Sequence, residues 1–282
     1  AVGLLFCIFP VFGLIVLIVI QSIAERDGRL VAGAEDASSC SFVIDLGEGF
    51  SDATVCDKFA GVIFLSDDGG DSRRRVDPAV LQAPGNESII IEDLVATDDG
   101  FVAVGTHRGP DWRSPLWFSP DGESWQLISE FRGADGPMSG NEVHVHGANL
   151  TLLLTEHPCS QNSISFNTPG WFLGSAWGSH LRMFTGPDVL SLAAVDPETS
   201  PLLEPPLPVD CSTQRSIDIA DLPYPNATAV VVDDELRLLR GGIEAVDESD
   251  EDAIVPYRLY SFDGAEWEET VLDEIKREPR SG

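Results

Sequence analysis

Basic residues are scarce in this sequence. It contains two lysines, Lys58 and Lys276, and lysine and arginine together number 17 against 47 acidic residues, which gives a formal net charge of −30. All of this charge lies after residue 24. A protein that binds nucleic acid needs a basic surface to displace counterions from the phosphates. Nucleic acid is therefore excluded as a partner, and docking on an anionic lipid surface is disfavoured for the same reason.

Long helical periodicity is also lacking. Beyond residue 40 the apolar runs are about four to seven residues long and rich in Val, Leu, Ile, Phe and Trp. Asp-Gly, Gly-Pro and Asn-containing turns separate them. Short β-branched and aromatic runs between such turns are typical of strands. The sequence predicts an all-β domain over residues 40–282.

One long apolar run is present at the N-terminus. Residues 1–20 carry no polar side chain, and as a helix they would span about 30 Å, the thickness of a bilayer's hydrocarbon core. We therefore expect a transmembrane helix over residues 1–24, followed by a polar tether over residues 25–39. The alternative is a cleaved signal peptide ending near Ala24, although the apolar run exceeds the usual length of about 7–15 residues.

The cysteines indicate the compartment. Cys7 lies in the apolar segment, and an even set of four follows it: Cys40, Cys56, Cys159 and Cys211. Such a set after a membrane signal predicts two disulfides and a single-pass cell-membrane protein with an extracytoplasmic domain. Three connectivities are open, and pairing of nearest neighbours, Cys40–Cys56 and Cys159–Cys211, is the one we favour. The absence of a Cys-x-x-Cys pair argues against zinc.

The chain contains an internal repeat. Residues 119–125 (SPDGESW) and 261–267 (SFDGAEW) share the pattern Ser-x-Asp-Gly-x-x-Trp, and weaker copies occur at 66–72 (SDDGGDS) and 165–171 (SFNTPGW). The first serines are separated by 53, 46 and 96 residues, and 96 is twice 48. A repeat of about 48 residues follows, with a further copy expected near residue 213.

A hairpin pattern precedes each motif. The stretches 94–104, 143–154 and 229–239 each read as two short strands around a turn, and 42–50 is the expected counterpart before Ser66. Each unit then holds two hairpins, or four strands, which is the size of a β-propeller blade. About five blades are predicted over residues 41–282.

The motif residues have the chemistry of a tight turn. Gly122 suits a left-handed position, and Ser119 and Asp121 can hydrogen-bond to turn amides that no strand partner satisfies. Trp125 is expected to pack its ring beneath the turn. The same structural roles, with no catalysis, are predicted for Ser261, Asp263, Gly264 and Trp267.

This pattern resembles the Asp-box, or BNR repeat, of sialidase-like β-propellers, although the copies here are one residue shorter. By period the resemblance covers about residues 41–275, but the motif itself covers only a few residues per repeat. It implies the propeller fold and the outer hairpin of each blade. It does not imply an activity, because propellers of this kind include hydrolases, receptors and assembly factors.

A sialidase site is not recognisable in the sequence. Such an enzyme is expected to carry an arginine cluster and a tyrosine–glutamate pair, whereas the only tyrosines are Tyr224, Tyr257 and Tyr260, and no Arg-Ile-Pro signature occurs. The run 73–75 of three arginines is typical of a solvated loop. With 47 acidic residues, no carboxylate pair can be singled out for glycoside hydrolysis.

Three places in the sequence have side chains that could bind a metal ion. His144 and His146 share one face of a predicted strand, and His157 or Cys159 is close enough in sequence to be a third zinc ligand. A hairpin that turns at 148–149 would, however, set Thr151, Leu153 and Thr155 against that face, and none of these is a zinc ligand. The acidic runs 67–71 and 247–252 could bind calcium, although neither has the spacing of an EF-hand loop. We therefore predict no metal site and no cofactor, with calcium left open.

These observations favour a membrane-anchored, extracytoplasmic binding or scaffold module that presents its loops to a protein or a glycan. A surface hydrolase acting on a glycan is the alternative, supported by the family resemblance alone. A structural subunit of an envelope assembly is a third possibility. No catalytic residue is assigned.

Overall fold

The computed structural model describes residues 10–11, 14–15, 18–36, 40–45, 51–56, 60–81, 88–108, 112–133, 136–156, 180–196, 227–241, 254–255, 257–262, 267–271 and 275–276. Within these ranges the regular structure is β apart from one 3-10 helix, Pro78–Leu81. The strands are β1 (Pro10–Val11), β2 (Leu14–Ile15), β3 (Ile18–Arg26), β4 (Arg29–Asp36), β5 (Cys40–Asp45), β6 (Ser51–Cys56), β7 (Ala60–Ser66), β8 (Arg74–Arg75), β9 (Ser88–Thr97), β10 (Gly100–Arg108), β11 (Ser114–Ser119), β12 (Gln126–Phe131), β13 (Met138–His146), β14 (Asn149–Glu156), β15 (His180–Gly186), β16 (Ala193–Ala194), β17 (Ala227–Val232), β18 (Glu235–Gly241), β19 (Ile254–Val255), β20 (Tyr257–Phe262), β21 (Trp267–Val271) and β22 (Ile275–Lys276).

Four antiparallel sheets of four strands each make up most of the described structure. Blade 1 contains β3, β4, β7 and β8; blade 2 contains β9–β12; blade 3 contains β13–β16; and blade 4 contains β17, β18, β20 and β21. The first strands of successive blades lie side by side, β3 against β9, β9 against β13 and β13 against β17. This is the arrangement of consecutive propeller blades. The all-β prediction and the four-stranded unit are confirmed. The fifth copy expected near residue 213 lies outside the described residues.

Blades 2 and 3 each bury both faces against neighbouring blades. Along β10, Phe101 and Ala103 point into the cluster between blades 1 and 2, whereas Val102 and Val104 point into the cluster between blades 2 and 3. This alternation is the period of two that a strand imposes. A third cluster joins blades 3 and 4. Since a blade covers its faces only with other blades, the core is distributed between the sheets.

The first blade begins earlier than the sequence predicts. Residues 25–39 were expected to be a tether, but residues 29–36 form β4, in which Val31 and Ala34 are fully buried. β3, which includes residues 18–24 of the expected anchor, pairs with β4. The two-residue turn Asp27-Gly28 has φ of 54° and 80°, the left-handed pair of a type I′ hairpin. Among the described residues, no helix is long and apolar enough to span a bilayer.

The stretch 42–50 was expected to supply the first hairpin of blade 1, and this prediction is wrong. β5 pairs with β6 in a separate two-stranded sheet inserted between β4 and β7. The register sets Cys40 directly opposite Cys56. The blade is completed by the hairpin of β3 and β4 instead.

The third turn motif is also placed elsewhere. Residues 165–171 lie outside the described residues, and the turn between the third and fourth strands of blade 3 follows Gly186. There Pro187-Asp188 occupies the position of Pro120-Asp121 in blade 2. The third strands of the four blades end at residues 66, 119, 186 and 262, which are 53, 67 and 76 residues apart. The constant period of about 48 fails because the connections between second and third strands differ in length.

The first hairpin of blade 4 has two non-glycine residues in its turn, and both adopt a left-handed backbone conformation that is sterically unfavourable for them. Asp233 and Asp234 have φ of 53° and 64°, so both occupy the left-handed region without a glycine. We expect Asp234→Gly to raise the free energy of unfolding by about 0.5–1 kcal/mol, because glycine adopts this conformation without steric cost. Chemical denaturation of the full chain measures the change. The reverse substitution in blade 1, Gly28→Asp, should lower stability by a similar amount; equal stability of all three proteins would contradict the assignment.

Candidate functional site

The two ends of the blades differ. We call "turn end" the side that carries the short hairpin turns and the motif turns, and "loop end" the opposite side, where second strands connect to third strands and one blade connects to the next. The motif residues of blade 2, Ser119, Asp121, Gly122 and Trp125, lie at the turn end. Asp121 accepts hydrogen bonds from the hydroxyl of Ser119 (3.1 Å) and from the amides of Glu123 (2.9 Å) and Ser124 (2.7 Å). Burial raises the pKa of Asp121, but these donors outweigh it and lower the pKa to about 2.

Gly122 and Trp125 attach this turn to the preceding blade. Gly122 has φ of 75°, and a Cβ there would lie 2.6 Å from Cγ2 of Val31 in blade 1. The Trp125 indole nitrogen donates to the carbonyl of Gly122 at 2.9 Å, and its ring is buried in the cluster between blades 1 and 2. The turn thus joins two blades and leaves no group for chemistry.

Two other turns use an aspartate in the same way. Asp68 accepts from Ser66 and Ser72, whose hydrogen bonds lower its pKa to about 2. Asp188 accepts from the amide of Leu190 at 2.9 Å. Of the fourth copy, Ser261 lies in β20 and Trp267 begins β21, while Asp263 and Gly264 lie outside the described residues.

The arginine run 73–75 takes part in ion pairs. Arg74 makes a bidentate contact with Glu123 of blade 2, at 2.8 and 2.7 Å. Arg75 contacts Asp36 at 3.2 Å. These partners engage the guanidinium groups of Arg74 and Arg75 within the fold.

The candidate metal ligands are engaged with protein groups. His146 hydrogen-bonds to Thr151 at 2.7 Å, and His144 to Glu142 at 3.0 Å. Burial lowers the pKa of His146, with a further contribution from His144. No group of three His, Cys, Asp or Glu side chains with metal-binding geometry occurs in the part of the chain that the structure describes. In the first acidic run, Asp67 pairs with Arg29 at 2.6 Å; the second run, 247–252, lies outside that part, as do Cys159 and Cys211.

A different set of polar residues lies on the first strands of the blades, which we call the inner strands. In each of the first three blades, the first strand carries one residue that has no partner in the register of the second strand. These bulge residues are Gln21 between Ile20 and Ser22, Glu92 between Ile91 and Asp93, and Asn141 between Gly140 and Glu142. Bulges redirect side chains and are common beside active sites. All three bulge residues are polar.

The residue after the bulge connects one blade to the next. Ser22 donates its hydroxyl to the carbonyl of Leu94 at 3.0 Å, and Asp93 accepts from the amide of Val143 at 3.0 Å. The same position thus ties blade 1 to blade 2 and blade 2 to blade 3. These bonds hold the bulge residues at a fixed spacing.

Glu92 is the most perturbed of these residues. The hydroxyl of Thr106 donates to its Oε1 at 2.9 Å, and Thr106 itself accepts from the amide of Gly140 in blade 3 at 3.2 Å. Burial raises the pKa of Glu92 to about 7, although the bond from Thr106 and the charge of Arg108 act in the opposite direction. Near neutral pH this carboxyl is therefore present in both protonation states.

Glu35 and Arg108 complete the group, which we call the inner-strand cluster: Gln21, Glu35, Glu92, Thr106 and Arg108. Burial raises the pKa of Glu35, opposed by the charge of Arg108 and a hydrogen bond from Gln21. Burial likewise lowers the pKa of Arg108, opposed by Glu92 and Glu35. The Arg108 guanidinium lies 5.2 Å from the ring centroid of Trp112. One cation and two carboxyls thus share a poorly solvated space.

The cluster lies toward the loop end of blades 1 and 2. Glu35 and Arg108 stand at the ends of β4 and β10, where the chain leaves for the loop end. Carboxyl oxygens, guanidinium N–H groups and an aromatic ring together can bind a polar ligand or transfer a proton. Sequence reasoning missed all five residues. The only available signal was Glu92-Asp93 interrupting the apolar run Ile89–Ile91 and Leu94–Val95, which marks a polar break in an inner strand.

Comparisons with known proteins give likenesses among solved structures. An α-L-arabinofuranosidase of Fusarium graminearum bound to arabinobiose has a TM-score of 0.48 at 13% identity, covering 90% of this chain and 66% of that one. A Trypanosoma rangeli sialidase bound to sialic acid scores 0.47 at 10% identity, with coverages of 94% and 40%. The β-propeller domain of the Trilobed protease from Pyrococcus furiosus scores 0.42 at 9% identity, with coverages of 91% and 57%.

The present chain spans less than two thirds of each of these three structures. No family model matches it, and no curated protein matches it. The propeller assignment rests on the strand order and on the packing of successive blades.

Proposed function

We propose that this propeller is an extracytoplasmic binding module that recognises a neutral glycan through the inner-strand cluster. The observation that carries the proposal is the convergence of Glu35, Glu92 and Arg108 toward the loop end. Each sugar hydroxyl both donates and accepts a hydrogen bond, so a glycan site needs carboxyl oxygens and N–H groups close together. A ligand site typically contains a small number of polar groups that point toward one place and have perturbed pKa values.

Charge favours a neutral sugar over an acidic one. Within the cluster the single cation, Arg108, interacts with two carboxyls, those of Glu92 and Glu35. The chain as a whole has a formal charge of −30. A sialoside or uronate would therefore meet repulsion from the protein and no unbalanced cation.

One observation favours a second function, glycoside hydrolysis. A carboxyl whose pKa is about 7 can act as a general acid at neutral pH, and Glu92 has this property. Glu35 would then serve as the second carboxyl, as base or nucleophile. This candidate predicts turnover of an aryl glycoside that Glu92→Gln abolishes, whereas the binding module predicts affinity without turnover.

Calorimetry on the full chain tests both candidates. The titrants are neutral arabino-, galacto- and gluco-oligosaccharides and one sialoside. We expect saturable binding of a neutral oligosaccharide, weakened at least tenfold by Arg108→Gln, because that change removes the charged donors of the cluster. Arg74→Gln, at the exposed contact with Glu123 on the turn end, is the matched control and should leave affinity unchanged.

Two results would contradict the proposal. One is the failure of every neutral oligosaccharide to bind at millimolar concentration. The other is binding that survives both Arg108→Gln and Glu92→Gln in proteins whose unfolding midpoints show that they are folded. Release of product from an aryl glycoside would move the assignment to the hydrolase.

We also propose that Cys40 and Cys56 form a disulfide, which places this domain in an oxidising compartment outside the cytoplasm. Support comes from the register of β5 and β6, in which these two residues are direct partners. Directly opposed residues of antiparallel strands have Cα atoms about 4.5–5.5 Å apart, within the range that a disulfide spans.

Proteolysis of the secreted protein without reductant is expected to yield a peptide pair linked through Cys40 and Cys56 in mass spectrometry. Reduction should lower the free energy of unfolding by about 3 kcal/mol, as expected for a loop of this length. Recovery of both cysteines as free thiols from protein kept under oxidising conditions would refute the bond. The pairing of Cys159 with Cys211 stays a prediction.

A further inference from the structure

The junction between blades 1 and 2 is sealed at its turn end. Arg29, the first residue after the hairpin turn of blade 1, donates to Asp67 at 2.6 Å and to the carbonyl of Asp121 at 2.7 Å. Trp125 fills the space beneath the turn and is 5% exposed. The hollow that remains at this junction has a volume of about 400 Å³.

The equivalent junction between blades 2 and 3 is open. The position of Arg29 is taken by Gly100, and the position of Trp125 by Leu192. A side chain cannot be accommodated at Gly100, because a Cβ would lie 2.2 Å from the carbonyl oxygen of Ser119. Because no counterpart of the Arg29 and Trp125 side chains fills this junction, a groove of about 880 Å³ remains. We call it the blade 2–3 groove.

The floor of the blade 2–3 groove is apolar. Its apolar side chains come from β11 and β12 of blade 2, from β13 and β14 of blade 3 and from the turn after β15, and they are Phe118, Ile128, Val145, Leu150, Val189 and Leu190. Leu190 is 80% exposed, although its side chain is as large as those of the core. An apolar surface of this kind, set in a concave site with a polar rim, is typical of a protein-binding surface.

The rim of the groove is acidic. Glu25, Asp98, Asp99 and Asp188 line it, and the first three are carried by the hairpins of blades 1 and 2. One cation, Arg26, also lies at the rim, but it donates to the backbone carbonyls of Asp98 (2.6 Å) and Pro120 (3.3 Å). The rim therefore complements a positively charged partner.

The geometry of blade 2 indicates the form of that partner. β12 is the last strand in the order β12-β11-β10-β9, so within the described ranges no further strand of this sheet pairs with its outer edge. Gln126 and Ile128, two residues apart on this edge strand, both line the groove. A peptide that paired with β12 would direct every second side chain into the groove and the alternate ones away from it.

We infer that the blade 2–3 groove binds an extended peptide segment of another protein, in which apolar residues occupy every second position and lysine or arginine flanks this stretch at both ends. The apolar side chains fill the floor left open by Gly100 and Leu192, and the basic ones meet the acidic rim. This surface is at the turn end and the inner-strand cluster is toward the loop end, so the inference stands independently of the glycan proposal.

Fluorescence anisotropy on the full chain tests the inference. The probe is a labelled eight-residue peptide in which valine and serine alternate over the four central positions and two arginines stand at each end; two companions replace every valine by serine or every arginine by glutamate. We expect saturable binding of the valine–arginine peptide alone. Leu190→Ser should weaken it about tenfold, since the change removes a large apolar side chain that the peptide would bury. The double variant Asp98→Asn, Asp99→Asn should also bind this peptide more weakly than wild type does. This loss of affinity should be larger at low salt than at high salt, because salt screens the interaction between charges.

Ile23→Ser is the matched control, because Ile23 is also an exposed apolar residue (60%) but does not line the groove. It should leave the affinity for the valine–arginine peptide unchanged. The inference is overturned if the serine–arginine peptide binds as tightly, which would mean plain charge attraction, or if Ile23→Ser weakens binding as much as Leu190→Ser. It is also overturned if Leu190→Ser abolishes self-association of the chain or its binding to phosphatidylcholine vesicles, since the groove would then be occupied by a second copy or a lipid surface.

Discussion

Glu92→Gln is expected to make the protein more stable than wild type at pH 8 and equally stable at pH 4.5. The pKa of Glu92 is raised from 4.5 to about 7 in the folded chain. Between these values the folded state binds more protons than the unfolded state, so the stability of the wild type falls as the pH rises through about 7. Glutamine resembles the protonated carboxyl and cannot ionise. The expected gain at pH 8 is about 2–3 kcal/mol.

Urea unfolding of both proteins at pH 4.5, 6 and 8 measures this difference. Thr106→Val serves as a comparison: it removes the hydrogen bond that lowers the pKa of Glu92, so the total loss of stability between pH 4.5 and pH 8 should be larger. If the stability difference between Glu92→Gln and wild type were the same at all three pH values, the carboxyl would be solvated and the cluster would not have the properties described here.

Arg182→Met is expected to lower the free energy of unfolding by about 3–5 kcal/mol at pH 7. Arg182 donates through Nε and Nη2 to the carboxylate of Glu156, at 2.8 and 2.6 Å. The side chain of Glu156 is 1% exposed. Removal of the guanidinium therefore leaves a buried negative charge without its principal counterion, which costs more than the ion pair contributes when intact.

The double variant Glu156→Gln, Arg182→Met separates charge from packing. It should recover more than half of the loss, because the uncharged amide is far less costly to bury than a carboxylate. Arg74→Met is the control for loss of an arginine as such; its contact with Glu123 is exposed, and we expect less than about 1 kcal/mol. Equal losses for Arg182→Met and the double variant would show that the effect arises from packing alone.

Sequence patterns were sufficient to predict the structures that form between residues close in sequence. The hairpins at 94–104, 143–154 and 229–239 form as predicted, because alternating apolar residues around a two-residue turn specify both the strands and their register. Asp121 and Trp125 could be read in the same way, since a tight turn restricts its residue types.

The remaining features depend on contacts distant in sequence. The apolar start of the chain predicted a membrane span through residue 24, whereas β3 pairs with β4; the signal that pointed to a hairpin was Asp27-Gly28. Blade boundaries were misjudged because inserted connections break the period. The inner-strand cluster brings together residues from β3, β4, β9 and β10 through bulges that no local pattern encodes.

The most direct test of the central claim is a carboxyl NMR titration of Glu92 in the full chain, with and without neutral oligosaccharides. If the inner-strand cluster is a buried ligand site, Glu92 titrates near pH 7, and a bound oligosaccharide shifts both its resonance and its pKa. A carboxyl that titrates near 4.5, or one near 7 that no oligosaccharide perturbs, would contradict the account.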